Sequence, residues 1–231
     1  MHRFWEKVIK PILAVVQPSS IVEIGSLTGL NTVKLLDYCK HLDAVCYVID
    51  PHPKFEVEWM KIYYREKFEL RQQLSLEALP ELEQYDLLLI DGDHNYYTVY
   101  HELKHAEDMA KLSGRFPVIL LHDTAWPYGR RDMYYDPDNV PEEQRQPCAL
   151  SGIVPGSSAL VEGAFNHTVH NALTEYGERN GVLTAVEDFV KQSEVKLKLY
   201  LLHSNNGLGI LLPEDSELNP VISFIVNTSG L

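Results

Sequence analysis

The sequence predicts an α/β fold: a seven-stranded sheet, mostly parallel, with helices on both faces and an antiparallel hairpin strand at its carboxyl-terminal end. Three observations predict it. Through the first 125 residues, short apolar runs alternate with longer runs of helical period. Within Tyr85–Asp91, the residues Leu87, Leu88, Leu89 and Ile90 leave no polar face, as a strand covered on both sides requires. Near the end, two apolar runs flank Ser204-Asn205-Asn206-Gly207, an Asn-Gly turn that joins antiparallel strands.

Taken in order, Val22–Gly25 reads as a buried strand. Thr28–Tyr38 reads as a helix, with Leu30, Val33, Leu35 and Leu36 at helical spacing. Ala44–Asp50 is the second strand, Phe55–Phe68 the second helix and Leu70–Leu74 a short third strand. Tyr85–Asp91 follows as a strand, Tyr96–Leu112 as a helix and Phe116–Asp123 as the fifth strand. Alternation of this kind implies parallel strands joined by right-handed crossovers. The pattern breaks over residues 124–164, which are rich in Pro, Gly, Tyr, Arg and Asp and have little periodicity. A stretch of this kind inside a compact domain reads as a functional lid or binding loop. Asn166–Tyr176 and Leu183–Lys191 read as helices, and Lys198–His203 and Leu208–Leu212 as the hairpin strands.

A length of 231 residues suits one α/β domain, residues 1–231, with an insertion at 124–164, and 45% hydrophobic residues supply a sizeable core. The formal net charge of −13 disfavours nucleic acid and anionic membrane surfaces as partners and favours a small or neutral substrate. No apolar run reaches the roughly 20 residues that span a bilayer. The amphipathic N-terminal segment lacks the small-residue cleavage site of a signal peptide. Cys39, Cys46 and Cys148 form neither a metal spacing nor a disulfide framework, so a reducing cytoplasm is the expected location. Self-association is left open.

The segment IVEIGSLTGLNT joins the first strand to the first helix. Gly25 and Gly29 permit a tight turn, Ser26 lies between them, and Thr28 or Asn31 can cap the helix. A dinucleotide fingerprint, G-x-G-x-x-G, needs glycine where Leu27 stands, because that glycine admits a pyrophosphate. S-adenosylmethionine has no pyrophosphate for Leu27 to crowd. Glu23 stands two residues before Gly25, where an acidic group can hold water or the cationic amino end of a ligand. Asp50 closes the second strand, where a carboxylate can accept hydrogen bonds from ribose hydroxyls.

Asp91-Gly92-Asp93-His94 ends the fourth strand and His122-Asp123 the fifth. Both stand at the carboxyl edge, where open α/β sheets bind ligands. Three carboxylates and two histidines converging there can bind a divalent cation: oxygen ligands suit Mg²⁺, Mn²⁺ or Ca²⁺, and imidazole tilts the choice toward Mn²⁺, Fe²⁺ or Zn²⁺. The bland alternative is that Asp91 and Asp123 cap helices and bind loop amides. Trp126, Tyr128, Arg130, Arg131, Tyr134 and Tyr135 follow at once. They either offer aromatic faces and cations to an acceptor or pack the insertion onto the sheet.

IDGDHNYYTVYHEL followed by LLHDTAWPYGRRDMYYDP resembles the class I methyltransferases grouped with antibiotic and sugar O-methyltransferases, as E-x-G-x-x-x-G and the terminal hairpin also do. More distantly it resembles the metal-dependent macrocin-type sugar O-methyltransferases. The resemblance in topology spans nearly the whole chain, and that in motifs covers residues 21–29, 50 and 91–123. It implies a Rossmann-like sheet, S-adenosylmethionine as methyl donor, a divalent cation (Mg²⁺ or Mn²⁺) and a hydroxyl of a small molecule or sugar as acceptor. Carried over, Glu23, Gly25, Ser26, Thr28, Gly29, Asp50 and Asp91 bind cofactor, Asp91 and Asp123 bind metal, and Asp93 is the base. Here His122 stands where the macrocin-type enzymes have a second carboxylate. That makes His122 a metal ligand or, with His94, an alternative base. Two other readings remain. Leu27 and the hairpin oppose a nicotinamide-dependent oxidoreductase, and a non-catalytic adenosylmethionine-binding protein leaves the DGDH and HD motifs without purpose.

Overall fold

The computed structural model describes residues 1–231. The chain opens in one helical segment: a 3₁₀ turn over His2–Phe4, a π turn over Trp5–Ile9, then α1, Lys10–Val16. The alternating part follows as β1 (Ser20–Ile24), α2 (Thr32–Leu42), β2 (Val45–Ile49), α3 (Val57–Tyr64), β3 (Phe68–Arg71), α4 (Ser75–Ala78), β4 (Leu87–Ile90), α5 (Tyr96–Ser113) and β5 (Val118–His122). Residues 124–164 carry β6 (Met133–Tyr134), β7 (Cys148–Leu150), β8 (Gly152–Val154) and β9 (Ser157–Val161), and β10 (His170–Ala172) follows them. The chain ends with α6 (Val182–Gln192), β11 (Leu197–Leu202), β12 (Leu208–Pro213) and α7 (Asn219–Thr228).

The main sheet has seven strands in the order β11-β12-β5-β4-β1-β2-β3. β12 runs antiparallel to both β5 and β11, and the other pairs are parallel. The expected fold is therefore present, hairpin included. Period 2 in the strands divides the core between two faces. In β4, Leu87 and Leu89 join α1, α2 and α7 on one side, while Leu88 and Ile90 join α5 and α6 on the other. Fully burying each such leucine is worth about 1.5–3 kcal/mol. Cys39 and Cys46 are free thiols within the first core. No helix is long and apolar enough to cross a membrane.

Three expectations are corrected. The helix expected from Thr28 begins at Thr32, because Leu27 (φ 45°) and Gly29 (φ 77°) are left-handed and hold residues 25–31 as a turn. Asn166–Tyr176 is not a helix. Both end residues are left-handed (φ 55° and 65°), and β10 between them pairs with β6 and β7. The Asn171 amide donates to Ser151 O at 2.9 Å and Asn166 O at 3.0 Å, so tertiary bonds override the helical spacing. Residues 124–164 are not structureless either: β6 and β7 flank β10 in a three-stranded sheet, and β8 and β9 form a hairpin. Its anchor is Arg131, 1% exposed, which donates to Ala172 O and, at 2.8 Å, to Ser158 O. The apolar helix α7 lies beyond the hairpin at which the sequence reading stopped.

Candidate active site

Parallel strands place their carboxyl ends on one edge, and the antiparallel hairpin brings its turn there too, since Leu208 pairs with His122. A cavity of about 970 Å³ opens along this edge. Gly25 shapes its floor. A Cβ there would lie 2.3 Å from Asp91 O and 2.6 Å from Gly92 Cα, at φ 81°. Only glycine lets the ends of β1 and β4 approach so closely. The close approach expected for a ligand is thus first an approach of the two motifs to each other.

Asp50 holds the turn in shape. Its Oδ2 accepts from Ser26 N (2.8 Å), Ser26 Oγ (2.7 Å) and Leu27 N (3.0 Å), and its Oδ1 accepts from His52 N at 2.8 Å. Most of this carboxylate is committed to the loop, and only Oδ1 keeps capacity for a ribose hydroxyl. Glu23 does not reach the cavity: it is 2% exposed, beneath the turn, with Oε1 accepting from Asn31 Nδ2 at 2.9 Å. Burial pushes its carboxyl up to about 7, against the hydrogen bonds from Thr32 and Asn31. Gly29 packs on Phe55 and Met60 instead of lining the cavity.

Beside the turn, Asp91, His122 and Asp123 offer ligand atoms within 4.8 Å of one another. His122 Nδ1 lies 3.0 Å from Asp91 Oδ1 and 2.7 Å from Asp123 Oδ2. Burial opposes a charge on His122, but the hydrogen bonds and charges of both carboxylates outweigh it and push the imidazole up to about 9. Asp91 answers in the other direction. Burial works against its charge, yet the His122 hydrogen bond and the surrounding cations pull it down to about 2. Burial likewise opposes a charge on Asp123, and His94 and His122 hold it below the usual range. The Met1 amino group donates to Asp91 Oδ2 at 2.6 Å, a second cation against that carboxylate. Asp123 Oδ1 is buried with no hydrogen-bond partner. Two anionic carboxylates with one unused buried oxygen and an imidazole between them are a donor set that fits a divalent cation.

Asp93 is bound differently. It is half-buried on the cavity wall, and its one partner is Thr98 Oγ1, which donates to Oδ2 at 3.5 Å. Burial raises its carboxyl above the ordinary value. His94 is buried and stacked on Tyr128, with ring centroids 5.5 Å apart and planes at 4°, and its Nδ1 lies 3.5 Å from Asp123 Oδ2. Tyr135, Asp136 and Asn139 of the insertion and Asn205 and Asn206 of the hairpin turn complete the wall on this side.

The structure thus gathers Gly25, Ser26, Thr28, Asp50, Asp91, Asp93, His94 and His122 on one cavity, with Asp123 directly behind, and leaves Glu23 and Gly29 off it. The arginines do not face an acceptor. Arg130 forms a bidentate pair with Glu187 at 2.8 Å on both arms, and Arg131 is buried in the insertion. The sequence reading also missed Asp132. It is fully buried and accepts from Tyr96 N (2.7 Å), Gly181 N (2.6 Å) and Tyr134 OH (2.7 Å), tying the start of α5 to the insertion and to α6. Its only signal was a lone acidic residue between two arginines and a run of aromatic residues.

With this geometry in view, comparison with known proteins is specific at one level. Residues 22–124 match the model of a methyltransferase domain. No curated protein matches the sequence. The crystal structure of S-adenosylhomocysteine-bound methyltransferase PaMTH1 from Podospora anserina superposes with a TM-score of 0.56 at 17% identity, covering 89% of this chain and 77% of that one. An O-methyltransferase family protein from Burkholderia thailandensis gives a TM-score of 0.47 at 12% identity, with 94% and 58% covered. The O-methyltransferase NcsB1 from neocarzinostatin biosynthesis, solved with S-adenosylmethionine and 2-hydroxy-5-methyl naphthoic acid, gives 0.46 at 12% identity, with 92% and 55% covered. PaMTH1 shares the fold, and the two lower scores add nothing to that. Domain match and fold agree: residues 22–124 match a methyltransferase domain, and the chain has the fold of a methyltransferase that was solved with S-adenosylhomocysteine. The part that carries the domain runs from β1 to the end of β5 and holds every residue of the acidic cluster.

Proposed function

We propose that the chain is an S-adenosylmethionine-dependent methyltransferase that acts on oxygen, methylating a hydroxyl of a small polyhydroxylated molecule or sugar, with a divalent cation held by Asp91, His122 and Asp123. One observation carries the reading: a single cavity joins the turn after β1 to that cluster and to Asp93. S-adenosylmethionine supplies an electrophilic methyl group that needs only in-line approach of a nucleophile. A bound cation supplies charge that lowers the pKa of a coordinated hydroxyl.

The chain's own residues do the rest. Gly25, Ser26 and Thr28, fixed by Asp50, present a rigid floor to the cofactor. Asp93 takes the acceptor proton at a carboxylate oxygen. Beside the cluster its carboxylate makes only one long hydrogen bond, to Thr98, and its raised pKa makes it the better base. His122, set between Asp91 and Asp123 as a ligand of that cation, is not free to act as a base. His94, stacked under Tyr128, braces Asp123. The aromatic face of Tyr135 and the polar side chains of Asp136, Asn139, Asn205 and Asn206 suit a neutral hydroxylated acceptor.

Transfer of labelled methyl from S-adenosylmethionine to a panel of free sugars and glycosides, with and without chelator, tests the reading. Asp93→Asn is expected to lose on the order of 10²-fold or more in kcat, with the S-adenosylhomocysteine Kd unchanged. Full activity of that variant removes Asp93 as base. Cofactor binding without transfer to any hydroxyl compound favours a non-catalytic binding protein.

A further inference from the structure

Arg3 is the one arginine that lines the cavity, and it forms no ion pair. Arg71, Arg115, Arg130, Arg131 and Arg145 each have a carboxylate partner, at 2.6 to 3.8 Å. A guanidinium left unpaired in a chain of net charge −13 is available to a ligand. The fold holds it beside the acidic cluster from both sides. The Met1 amino group donates to Asp91 Oδ2 at 2.6 Å, and Phe4 N donates to Met1 O at 3.0 Å. Phe4 is wholly buried and sets its ring edge-on against His122, with centroids 5.9 Å apart. The turn His2–Phe4 is thus fixed against Asp91 and His122, and Arg3, between the buried Met1 and Phe4, stays exposed on the cavity wall.

The cofactor brings a group that needs such a cation. Its sulfonium carries three arms: the methyl, the nucleoside and an amino-acid arm that ends in a carboxylate. With the methyl at the acidic cluster and the nucleoside toward Asp50, the amino-acid arm lies over the end of β1, beside residues 1–3. Asp91, Asp93 and Asp136 line this part of the cavity and repel a carboxylate. The turn after β1 has little to offset that. Its amides are largely spent: Gly25 N donates to Ile49 O, Gly29 N to Ser26 O, and Ser26 N and Leu27 N to Asp50. Outside the cluster, the other basic side chains on the cavity are His2, His52 and Lys54. His52 and Lys54 follow Asp50, on the nucleoside side. Partial burial and the charges of the Met1 amine, Lys34 and Arg3 hold His2 below the ordinary imidazole value, so near pH 7 it is neutral.

We propose that Arg3 binds the carboxylate of S-adenosylmethionine, its planar guanidinium donating two N–H bonds to the two carboxylate oxygens. This rests on the cofactor reading above. The pair offsets the charge of the acidic wall and fixes the amino-acid arm, and through that arm the direction in which the sulfonium presents its methyl.

Calorimetric titration of the full chain with two ligands tests this: S-adenosylhomocysteine, and its decarboxylated analogue, which keeps the amino group and lacks only the carboxylate. Wild type, Arg3→Met and Arg3→Lys are compared. Arg3 is exposed, so its replacement leaves the core intact. Wild type is expected to bind S-adenosylhomocysteine about 10- to 100-fold more tightly than the analogue, the worth of a charged hydrogen-bonded pair. Arg3→Met is expected to lose that preference by weakening S-adenosylhomocysteine alone, with the Kd of the analogue unchanged. Arg3→Lys keeps the charge without the fork and is expected to fall between. Effects of either change by itself cancel in the double difference. A preference that survives in Arg3→Met, or an equal loss for both ligands, overturns the proposal. If wild type binds neither ligand, the cofactor reading itself fails; if it binds both equally, that reading stands and the role of Arg3 is refuted.

Discussion

Replacing Asp50 removes the brace of the cofactor turn, and its cost can be worked from the four hydrogen bonds it accepts. Ser26 Oγ can rotate to another acceptor, but the amides of Ser26, Leu27 and His52, at 2.8, 3.0 and 2.8 Å, cannot. The site is 8% exposed, so water replaces the carboxylate poorly. A buried donor left unpaired costs about 1–3 kcal/mol, and three such donors on one loop relax together, so the losses are less than additive. Asp50→Ala should therefore lose roughly 3–5 kcal/mol of unfolding free energy. The alternative is that the turn opens locally and cofactor affinity falls by about 10²-fold. Asp50→Asn should fall between: its carbonyl can still serve Ser26 and Leu27, while its NH₂ meets the His52 amide donor to donor. Urea denaturation read beside calorimetry with S-adenosylhomocysteine separates the two routes. An alanine variant within 0.5 kcal/mol of wild type (about the scatter of neutral surface changes) and with an unchanged Kd would refute the assignment.

Three further outcomes are expected. Gly25→Ala places a Cβ 2.3 Å from Asp91 O at φ 81°, so it should cost about 3 kcal/mol or more or prevent folding; a wild-type Tm contradicts this. Burial raises Asp132 from 3.8 to about 6 despite its hydrogen bonds, so the folded state keeps that proton longer than the unfolded chain. Its contribution is then greatest below the unfolded value and is lost as pH rises through 6, by up to about 3 kcal/mol. Asp132→Asn keeps an acceptor for Tyr96 N and Gly181 N and should flatten this part of the stability–pH curve, which denaturation at pH 4.5 and 7.5 reads directly. In hydrogen exchange, residues 131–134 should be as protected as the main sheet, because Arg131 and Asp132 are almost wholly buried, while residues 155–164 exchange first. Uniformly fast exchange across the insertion would restore the mobile lid expected from composition.

What the sequence made legible follows from the range of each interaction. Apolar runs such as Leu87–Ile90 announce central strands because burial on both faces leaves no alternative, and Asn206-Gly207 announces a hairpin because few residues accept that backbone. Gly25, Asp50, Asp91 and His122 were readable because strand ends in a parallel sheet share an edge, whatever the rest of the chain does. Their partners were not. That Asp50 holds loop amides, that Glu23 is sealed under Asn31 and that Arg130 is used by Glu187 depend on contacts between residues 8 to 57 positions apart. β10 was misread as helix for the same reason: strands β6 and β7, distant in sequence, decide its conformation. Glu102 and Asp132 look like surface charges in the sequence, and only packing shows that they are buried.

The most direct test is calorimetric titration of the full chain with S-adenosylhomocysteine and, separately, with NAD. The cavity walled by the Gly25–Asn31 turn, Asp50 and Asp91 predicts a Kd on the order of micromolar for S-adenosylhomocysteine. Binding should weaken in Asp50→Ala, and NAD should give no measurable heat. Tight binding of NAD with none of S-adenosylhomocysteine would contradict it.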